Sequence, residues 1–337
     1  MMKLHNKILL AGFLSAALTV SAGIPSSVDQ FPDGARVAFF GDSITHGGVG
    51  FLRVAAHYRK TFPERNVRFY NCGISGGTLA SAKLYFDKVL MSCRPTHVVF
   101  AFGVNDSRAF RINAKAKDKA MELKRVDAQA KEFRKRYAAM IDAILAKSAK
   151  VILRLPTPFN ADPSNAEHIV RNEAHRRAGK EIMSFAAERG LPVLDDYGRM
   201  SASIAAGEAS YENDRLHPND FGQWRMAETL LSAQGLSIAP YRPRAEVAQD
   251  AGLSEWDGLM QRLADINSFE WLVIRNESLD VSAKIEKAKT WMKRKGPGLK
   301  ASSFMGKLVR SYIADKPGEE LIRAKAESAW KAAMERK

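Results

Sequence analysis

The stretch RVAFFGDSIT occupies residues 36–45 and is an apolar run that ends in Gly-Asp-Ser. Such a short run, closed by turn-forming residues, predicts a buried β-strand that delivers Ser43 to a turn. Far downstream, Asp214 precedes His217 by three residues. A serine at a strand end is a candidate nucleophile, and a histidine with its own carboxylate is a candidate base. Together these residues suggest a hydrolase.

From Arg36 to about Gly235, β-rich runs alternate with longer amphipathic stretches, which is typical of a parallel sheet flanked by helices. The predicted strands are Arg36–Phe40, Val67–Asn71, His97–Phe102, Lys150–Leu155 and Pro192–Leu194. The predicted helices are Phe51–Phe62, Leu79–Leu90, Ala128–Lys147, Ala166–Arg189 and Phe221–Ser232. Five strands in this order predict an α/β fold, a flavodoxin-like three-layer α/β/α sandwich with a five-stranded parallel sheet.

The region after Tyr241–Arg244, which reads as a linker, has a different character. From about Ala251 onward the pattern is helical, without convincing strand alternation. We therefore expect a helical C-terminal extension at residues 250–337. Its four tryptophans are expected to anchor helix packing, although exposed ones could stack on sugar rings; they are Trp256, Trp271, Trp291 and Trp330.

The first residues resemble a secretory signal. Lys3 and Lys7 precede an apolar run over Ile8–Val20, and small residues follow up to Ala22. The run is short of the roughly 20 apolar residues that span a bilayer, so a retained membrane anchor is the weaker alternative. We expect residues 1–22 to be a signal peptide and the mature protein to be secreted or periplasmic, without stable membrane insertion.

The charge of the chain is strongly basic, with 52 Lys and Arg against 37 Asp and Glu, a formal net charge of +15. A field of one sign concentrates partners of the other, such as an anionic polysaccharide, a membrane surface or nucleic acid. Export argues against nucleic acid. The alternative is that the lysines only solubilise helix faces.

Two cysteines, Cys72 and Cys93, are too few for a disulfide framework, and no metal-ligand spacing is present. In the predicted topology Cys72 ends the second strand and Cys93 precedes the third. We therefore expect them at opposite ends of the sheet, too far apart to bridge.

The polar motifs of the first three predicted strands all follow strand ends, where ligands bind in such sheets. They are Ser43, the glycine-rich turn Asn71–Thr78 and Gly103–Asp106. The N–H of Ser43, the N–H of Gly76 and the side-chain amide of Asn105 could together bind a developing oxyanion.

At these residues the chain resembles the SGNH or GDSL hydrolase family, an esterase and lipase family. The resemblance lies in Phe40–Thr45, Asn71–Thr78, Gly103–Asp106 and Asp214–Asn219, and it covers roughly residues 36–235. It implies an SGNH hydrolase domain at residues 30–240 that needs neither metal nor organic cofactor.

The same resemblance implies a role for each matching residue. Ser43 is the expected nucleophile, His217 the base and Asp214 its partner. The N–H groups of Ser43 and Gly76 and the side chain of Asn105 are the expected oxyanion hole. A competing serine, Ser75, lies in a G-x-S-x-G pattern, but too few strands precede it for the fold that uses that pattern, so Ser43 is preferred.

Other polar residues near these motifs have simpler expected roles. His46 is expected to be a loop histidine, and Asp106 to brace the turn that presents Asn105. Asp42 could cap the helix after it. Asp195 and Asp196 could line the site or begin a helix.

The basic segment 108–125 leaves the catalytic edge and is either a solvated helix or loop, or a rim that touches substrate. Its charged members are Arg108, Arg111, Lys115, Lys117, Lys119, Lys124 and Arg125.

The sequence thus predicts an exported serine esterase that hydrolyses acyl esters, acetyl esters first among them, on a carbohydrate. The expected partner is a small-molecule or polysaccharide ester substrate. The alternatives are a lysophospholipase or thioesterase that prefers longer acyl chains, and a non-catalytic carbohydrate-binding protein of the same fold. Neither the acyl group nor the oligomeric state follows from the sequence.

Overall fold

The computed structural model describes residues 27–113, 116, 118–275 and 278–335. The predicted signal peptide at residues 1–22 lies outside this part of the chain, as do Lys115 and Lys117 of the basic segment. Among the residues that are described, no helix is both long and apolar enough to cross a membrane.

Five parallel strands form one sheet in the order β2-β1-β3-β4-β5. They are β1 (Arg36–Gly41), β2 (Arg68–Gly73), β3 (His97–Ala101), β4 (Lys150–Arg154) and β5 (Val193–Leu194). The order reverses between β1 and β3, which places a crevice at the carboxyl ends of these strands. The expected flavodoxin-like sheet is confirmed.

Helices cover both faces of the sheet. They are α1 (Ser43–His46), α2 (Val49–Thr61), α3 (Leu79–Leu84), α4 (Lys119–Leu145), α5 (Ala166–Arg189), α6 (Asp196–Ala205) and α7 (Asp220–Ala233). α4 begins nine residues before its predicted start because the Asp118 carboxylate accepts a hydrogen bond from Met121 N, which caps an extra length of helix.

The predicted helix Leu79–Leu90 is α-helical only to Leu84. It continues as a π-helical turn over Phe86–Leu90 and a 3-10 turn over Met91–Cys93. These turns lead the chain into β3.

The helical C-terminal region follows as α8 (Arg244–Asp250), α9 (Ser254–Phe269), α10 (Val281–Lys295), α11 (Phe304–Asp315) and α12 (Glu319–Glu335). A π-helical turn, Glu270–Ile274, extends α9. The region is continuous with the core on one face of the sheet. Trp330 of α12 packs against Phe69 of β2, with ring centroids 5.8 Å apart, and against Trp256 at 4.8 Å.

The expectation that the two cysteines lie far apart is wrong. Their sulfur atoms are 3.8 Å apart, and both thiols lie near the carbonyl oxygen of Val89. The reason is that the π-helical and 3-10 turns fold back over the face of β2. Cys72 belongs to the core on that face, and Cys93 packs against the same core.

Candidate active site

Ser43 is the first residue of α1, directly after β1. The carboxylate of Asp42 caps this short helix by accepting a hydrogen bond from Ile44 N at 3.0 Å. A side chain at Gly41 would collide with Thr45 and with the carbonyl of Ala101, so the chain can turn this tightly only with glycine there. The turn leaves the Ser43 hydroxyl at the carboxyl edge of the sheet.

His217 and Asp214 complete a hydrogen-bonded chain that begins at Ser43. Ser43 Oγ lies 2.8 Å from His217 Nε2, and His217 Nδ1 lies 2.5 Å from Asp214 Oδ2. The other carboxylate oxygen of Asp214 accepts from the N–H groups of Leu216 and His217, at 2.9 and 3.0 Å. The tight turn needs a left-handed residue, which is Arg215 with φ of 63°.

The hydrogen bonds around Asp214 set its charge. Partial burial opposes ionisation of this carboxyl, but the N–H groups of His217 and Leu216 and the imidazole of His217 outweigh burial and lower its pKa. A carboxylate that stays ionised fixes the His217 tautomer with its proton on Nδ1, which leaves Nε2 free to accept the Ser43 proton.

The two other predicted oxyanion donors lie in neighbouring turns. Gly76 has φ of 69°, a conformation that favours glycine. The Asn105 amide donates one hydrogen bond to the carbonyl of Gly77 at 2.9 Å, which ties the two turns together and leaves its second N–H available. Asp106 accepts from Leu79 N at 3.1 Å, so it braces the turn that presents Asn105, as expected, by tying that turn to the start of α3.

Two buried carboxyl groups near the nucleophile have perturbed pKa values. Burial raises the pKa of Asp42 to about 7, against the opposing effects of the Ile44 N–H and of His217. Burial likewise raises the pKa of Asp106 to about 6. Both groups therefore titrate near neutrality, beside the residues that would carry out the chemistry.

The C-terminal region also contributes to this site, which the sequence did not indicate. The indole of Trp271, in the π-helical turn after α9, donates to the carbonyl of Gly76 at 3.1 Å. A side chain at Gly76 would press against Leu272, which is next in the chain. The only signal was a tryptophan in a helical pattern, which does not distinguish a packing role from a position at the site.

The expected role of His46 is wrong. It is buried in α1 rather than in a loop, and its Nε2 lies 2.9 Å from Asp265 Oδ1 on α9. The carboxylate partner comes from a residue far along the chain, so no local pattern could have revealed it. This pair holds the helix that begins with Ser43 against the C-terminal region.

Ser75 is placed away from any base. It is buried, and its backbone N–H donates to Ser268 Oγ at 2.8 Å. Within the described part of the chain, no histidine is hydrogen-bonded to its hydroxyl. Its G-x-S-x-G pattern therefore does not form a nucleophile site here.

Part of the basic segment 108–125 makes contacts within the segment itself. Arg125 pairs with Glu122 and donates to the carbonyls of Ala109 and Arg111. Arg111 remains beside Arg171 of α5, and burial together with the charges of Arg171 and Arg108 lowers the pKa of Arg111. Within the described ranges, no ion pair is formed by Arg108, Arg111 or Arg171.

Arg171 lies over the ring of Phe159, 4.0 Å from its centroid, in the loop that leaves β4. The next residue, Asn160, donates its N–H to the carbonyl of Arg215 in the turn that carries His217. The arginine group is thus linked to the turn that carries His217 and belongs to the same edge of the sheet.

The paired acids after β5 do not face the nucleophile. Asp195 caps α6 by accepting from Gly198 N at 2.8 Å, and Asp196 forms a buried ion pair with Arg154. No group of three or more potential metal ligands occurs among the described residues.

A serine hydrogen-bonded to a histidine, which is in turn hydrogen-bonded to a carboxylate, on a flavodoxin-like sheet is typical of serine hydrolases with a three-layer α/β/α fold. The chain belongs to the GDSL-like lipase/acylhydrolase family, whose model matches residues 39–225. It is accordingly a carboxylic ester hydrolase. Among curated proteins, no sequence matches the chain.

Solved structures share the fold at low sequence identity. A gut microbial diltiazem-metabolizing enzyme is similar over 91% of this chain and 95% of that one, with a TM-score of 0.70 and 17% identity. An acetylxylan esterase from Geobacillus stearothermophilus is similar over 63% of this chain and 99% of that one, with a TM-score of 0.51 and 19% identity. An alpha/beta hydrolase from the metagenome of Lake Arreo, Spain, covers 61% of this chain and 97% of its own, with a TM-score of 0.50 and 22% identity.

Proposed function

We propose that this protein is an exported serine esterase that removes acyl groups, acetyl groups first among them, from a carbohydrate. The observation that carries the proposal is the hydrogen-bonded chain Ser43–His217–Asp214, with separations of 2.8 and 2.5 Å. Membership of an acylhydrolase family supports the ester bond as the target. Export is proposed from the N-terminal sequence alone.

The proposed reaction begins when Ser43 Oγ attacks the acyl carbon and its proton passes to His217 Nε2. Collapse of the tetrahedral intermediate expels the sugar hydroxyl, which takes that proton from His217 and leaves the acyl group on Ser43. Water then gives its proton to His217 and attacks the acyl-enzyme, which releases the carboxylic acid and regenerates Ser43. Asp214 stabilises the imidazolium that forms in each half of the cycle.

The negative oxygen of each intermediate would be bound by the N–H groups of Ser43 and Gly76 and by the Asn105 amide. Ser43 is the first residue of α1, so its N–H has no acceptor within the helix. Loss of a single such donor costs on the order of 3 kcal/mol of transition-state stabilisation.

An acidic carbohydrate is the favoured substrate class. Arg108, Arg111 and Arg171 lie at the catalytic edge without an ion-pair partner in the described part of the molecule. A cationic group of this kind would hold the carboxylates of a uronic acid polymer. The solved structure of similar fold is an acetylxylan esterase, so acetylated xylan is the natural contrast for this test.

Acetate release from acetylated pectin, acetylated xylan and peptidoglycan, measured in parallel with Ser43→Ala as the blank, tests the proposal. We expect the fastest release from pectin. Arg171→Gln should raise KM for pectin and leave KM for xylan unchanged, whereas Lys124→Gln, an exposed substitution in α4, should change neither. No acetate from any polymer would defeat the carbohydrate assignment.

A chain-length series of p-nitrophenyl esters separates this proposal from a lipid esterase. A carbohydrate deacetylase should hydrolyse acetate faster than octanoate. The reverse order would favour the lysophospholipase or thioesterase alternative.

A further inference from the structure

The two cysteines form a pair that the proposed esterase chemistry does not use. Cys72 lies in β2 and is 2% exposed, and Cys93 ends the 3-10 turn before β3 and is partly exposed. Their sulfur atoms are in contact at 3.8 Å. Closure to a disulfide requires the sulfurs to approach from this distance to about 2 Å.

A cavity gives access to one member of the pair. It has a volume of about 470 Å³, lies between β2, the 3-10 turn and the helices α9 and α12, and is lined by Cys93 but not by Cys72. Its charged lining is mainly basic, with Arg36, Arg68, Arg94 and Arg323 against Glu320 and Glu327. A small anionic molecule that enters the cavity would reach Cys93 first.

The surroundings divide the thiols into an attacking and a resolving member. The hydrogen bond between them lowers the pKa of Cys93, burial opposes this, and the charge of Arg323 lowers it further. The same hydrogen bond, together with burial, raises the pKa of Cys72. Cys93 is thus the better thiolate, and Cys72 keeps its proton until a partner sulfur is presented.

We propose that Cys72 and Cys93 are a redox modification site that accepts a disulfide from a small acidic disulfide such as oxidised glutathione. The Cys93 thiolate attacks one sulfur of that molecule, which forms a mixed disulfide and expels one thiolate. Cys72 then loses its proton and attacks the Cys93 sulfur, which expels the second thiolate. The two protein thiols are oxidised, and the small disulfide is reduced to two thiols.

The bond would affect the esterase site through the segment it closes. Residues 73–92 lie between the two cysteines and include Gly76 and all of α3. A cross-link across such a segment restricts the open conformations available to it. The oxidised protein should therefore hold the Gly76 turn more firmly and unfold at a higher temperature than the reduced protein.

The test uses the full chain after reduction and removal of the reductant. Incubation with oxidised glutathione should remove both titratable thiols, and peptide mapping should show one disulfide that joins the peptides of Cys72 and Cys93. The unfolding midpoint should rise by several degrees. These measurements do not depend on esterase activity, so they can fail while the proposed function stands, and the reverse also holds.

Two variants resolve the order of the steps. Cys72→Ala should stop at a stable glutathione adduct on Cys93, and Cys93→Ser should leave Cys72 unmodified because Cys72 is buried. Arg323→Gln should slow adduct formation several-fold in the Cys72→Ala background. A glutathione adduct that persists on Cys93 in the unsubstituted protein, or two thiols that remain free, would overturn the proposal.

Discussion

Ser43 differs from Ser75 in its surroundings rather than in its local sequence. Both follow a strand and both have a glycine within two residues, but of the two only Ser43 has a histidine nitrogen within hydrogen-bond distance among the described residues. A serine hydroxyl is a weak nucleophile until a base removes its proton. The assignment of the nucleophile therefore depends on His217, which lies 174 residues away in the chain.

Substitution of the two serines by alanine separates these roles. We expect Ser43→Ala to lower kcat for p-nitrophenyl acetate by at least about a thousandfold, because it removes the proposed nucleophile. Ser75→Ala should keep most of the activity, since the contact with Ser268 is made by its backbone N–H. Steady-state kinetics and labelling by a fluorophosphonate probe measure both. Loss of labelling in Ser75→Ala alone would reverse the assignment.

Asp42 should make the stability of the protein depend on pH. Burial raises its pKa from the ordinary value of 3.8 to about 7. Between these values the folded state holds a proton that the unfolded state has lost, so the free energy of unfolding falls as pH rises from about 4 to about 7. For this one group the loss amounts to at most about 4 kcal/mol.

Asp42→Asn keeps an oxygen that can accept from Ile44 N but cannot ionise. Urea denaturation at several pH values should therefore give a flatter profile for this variant over the same range. Asp280→Asn, at the exposed N-cap of α10, is the matched control. Equal slopes in Asp42→Asn and the unsubstituted protein would contradict the expectation.

Sequence reasoning could find a residue when its partner is close in the chain or its turn has a recognisable composition. The offset between Asp214 and His217 is local, and the glycine-rich turn around Gly76 is visible as such. The pair formed by His46 and Asp265 was not predictable, because it joins residues 219 positions apart and only tertiary packing brings them together.

At the scale of elements, the strands were predicted closely because each is a short apolar run between turn residues. The observed ends differ from the predicted ends by at most two residues. The helix after β2 was less predictable. Its apolar positions run on to Leu90, but the structure changes to π-helical and 3-10 turns after Leu84. That change brings Cys93 over β2, which the regular helix used in the prediction would not do.

The π-helical turn Glu270–Ile274 positions the Gly76 turn through one hydrogen bond. Trp271→Phe keeps an aromatic ring but removes the indole N–H that donates to Gly76. One hydrogen bond contributes a net free energy of about 1 kcal/mol. If the activation free energy rises by that amount, kcat falls about fivefold. We expect KM for p-nitrophenyl acetate to change little, because the effect is on the position of the Gly76 N–H.

Trp291→Phe is the matched control for that substitution. Trp291 lies on α10 and packs edge-to-face against Phe269, with ring centroids 5.9 Å apart. Among the described residues it has no hydrogen bond or ring contact with the Gly76 turn, so its replacement should leave kcat unchanged. If both variants lowered kcat equally, the effect would belong to the packing of the C-terminal helices and not to the hydrogen bond.

The π-helical turn Glu270–Ile274 is anchored by a buried charge cluster. Glu270 is 1% exposed and pairs with Lys88 before β3 and with Lys284 and Lys316 in the C-terminal region. Burial opposes its ionisation, but the positive charges of Lys88 and Lys316 outweigh it and lower the pKa of Glu270. The cluster joins the segment after α3 to the C-terminal helices on one side of the Gly76 turn.

At the scale of the whole molecule, the C-terminal helices are part of the main core. Aromatic side chains from β1, β2 and α2 share one cluster with Trp256 and Trp330. The sequence showed that this region is helical, but it could not show where the helices pack, since an apolar helix face has the same pattern whichever surface it meets. The diltiazem-metabolizing enzyme is similar over 91% of the chain, so the shared fold extends into these helices.

Trp330 tests whether the two parts of the chain fold as one unit. It is 4% exposed and contacts Phe69 of β2 and Trp256 of α9, so Trp330→Ala should lower the free energy of unfolding by about 3–5 kcal/mol. Leu321→Ala on the same helix, at a side chain 59% exposed, should change it by less than about 0.5 kcal/mol. Urea denaturation followed by circular dichroism and by esterase activity should show a single transition that Trp330→Ala shifts by both probes. If activity survived while helical signal was lost first, the C-terminal helices would unfold separately from the sheet.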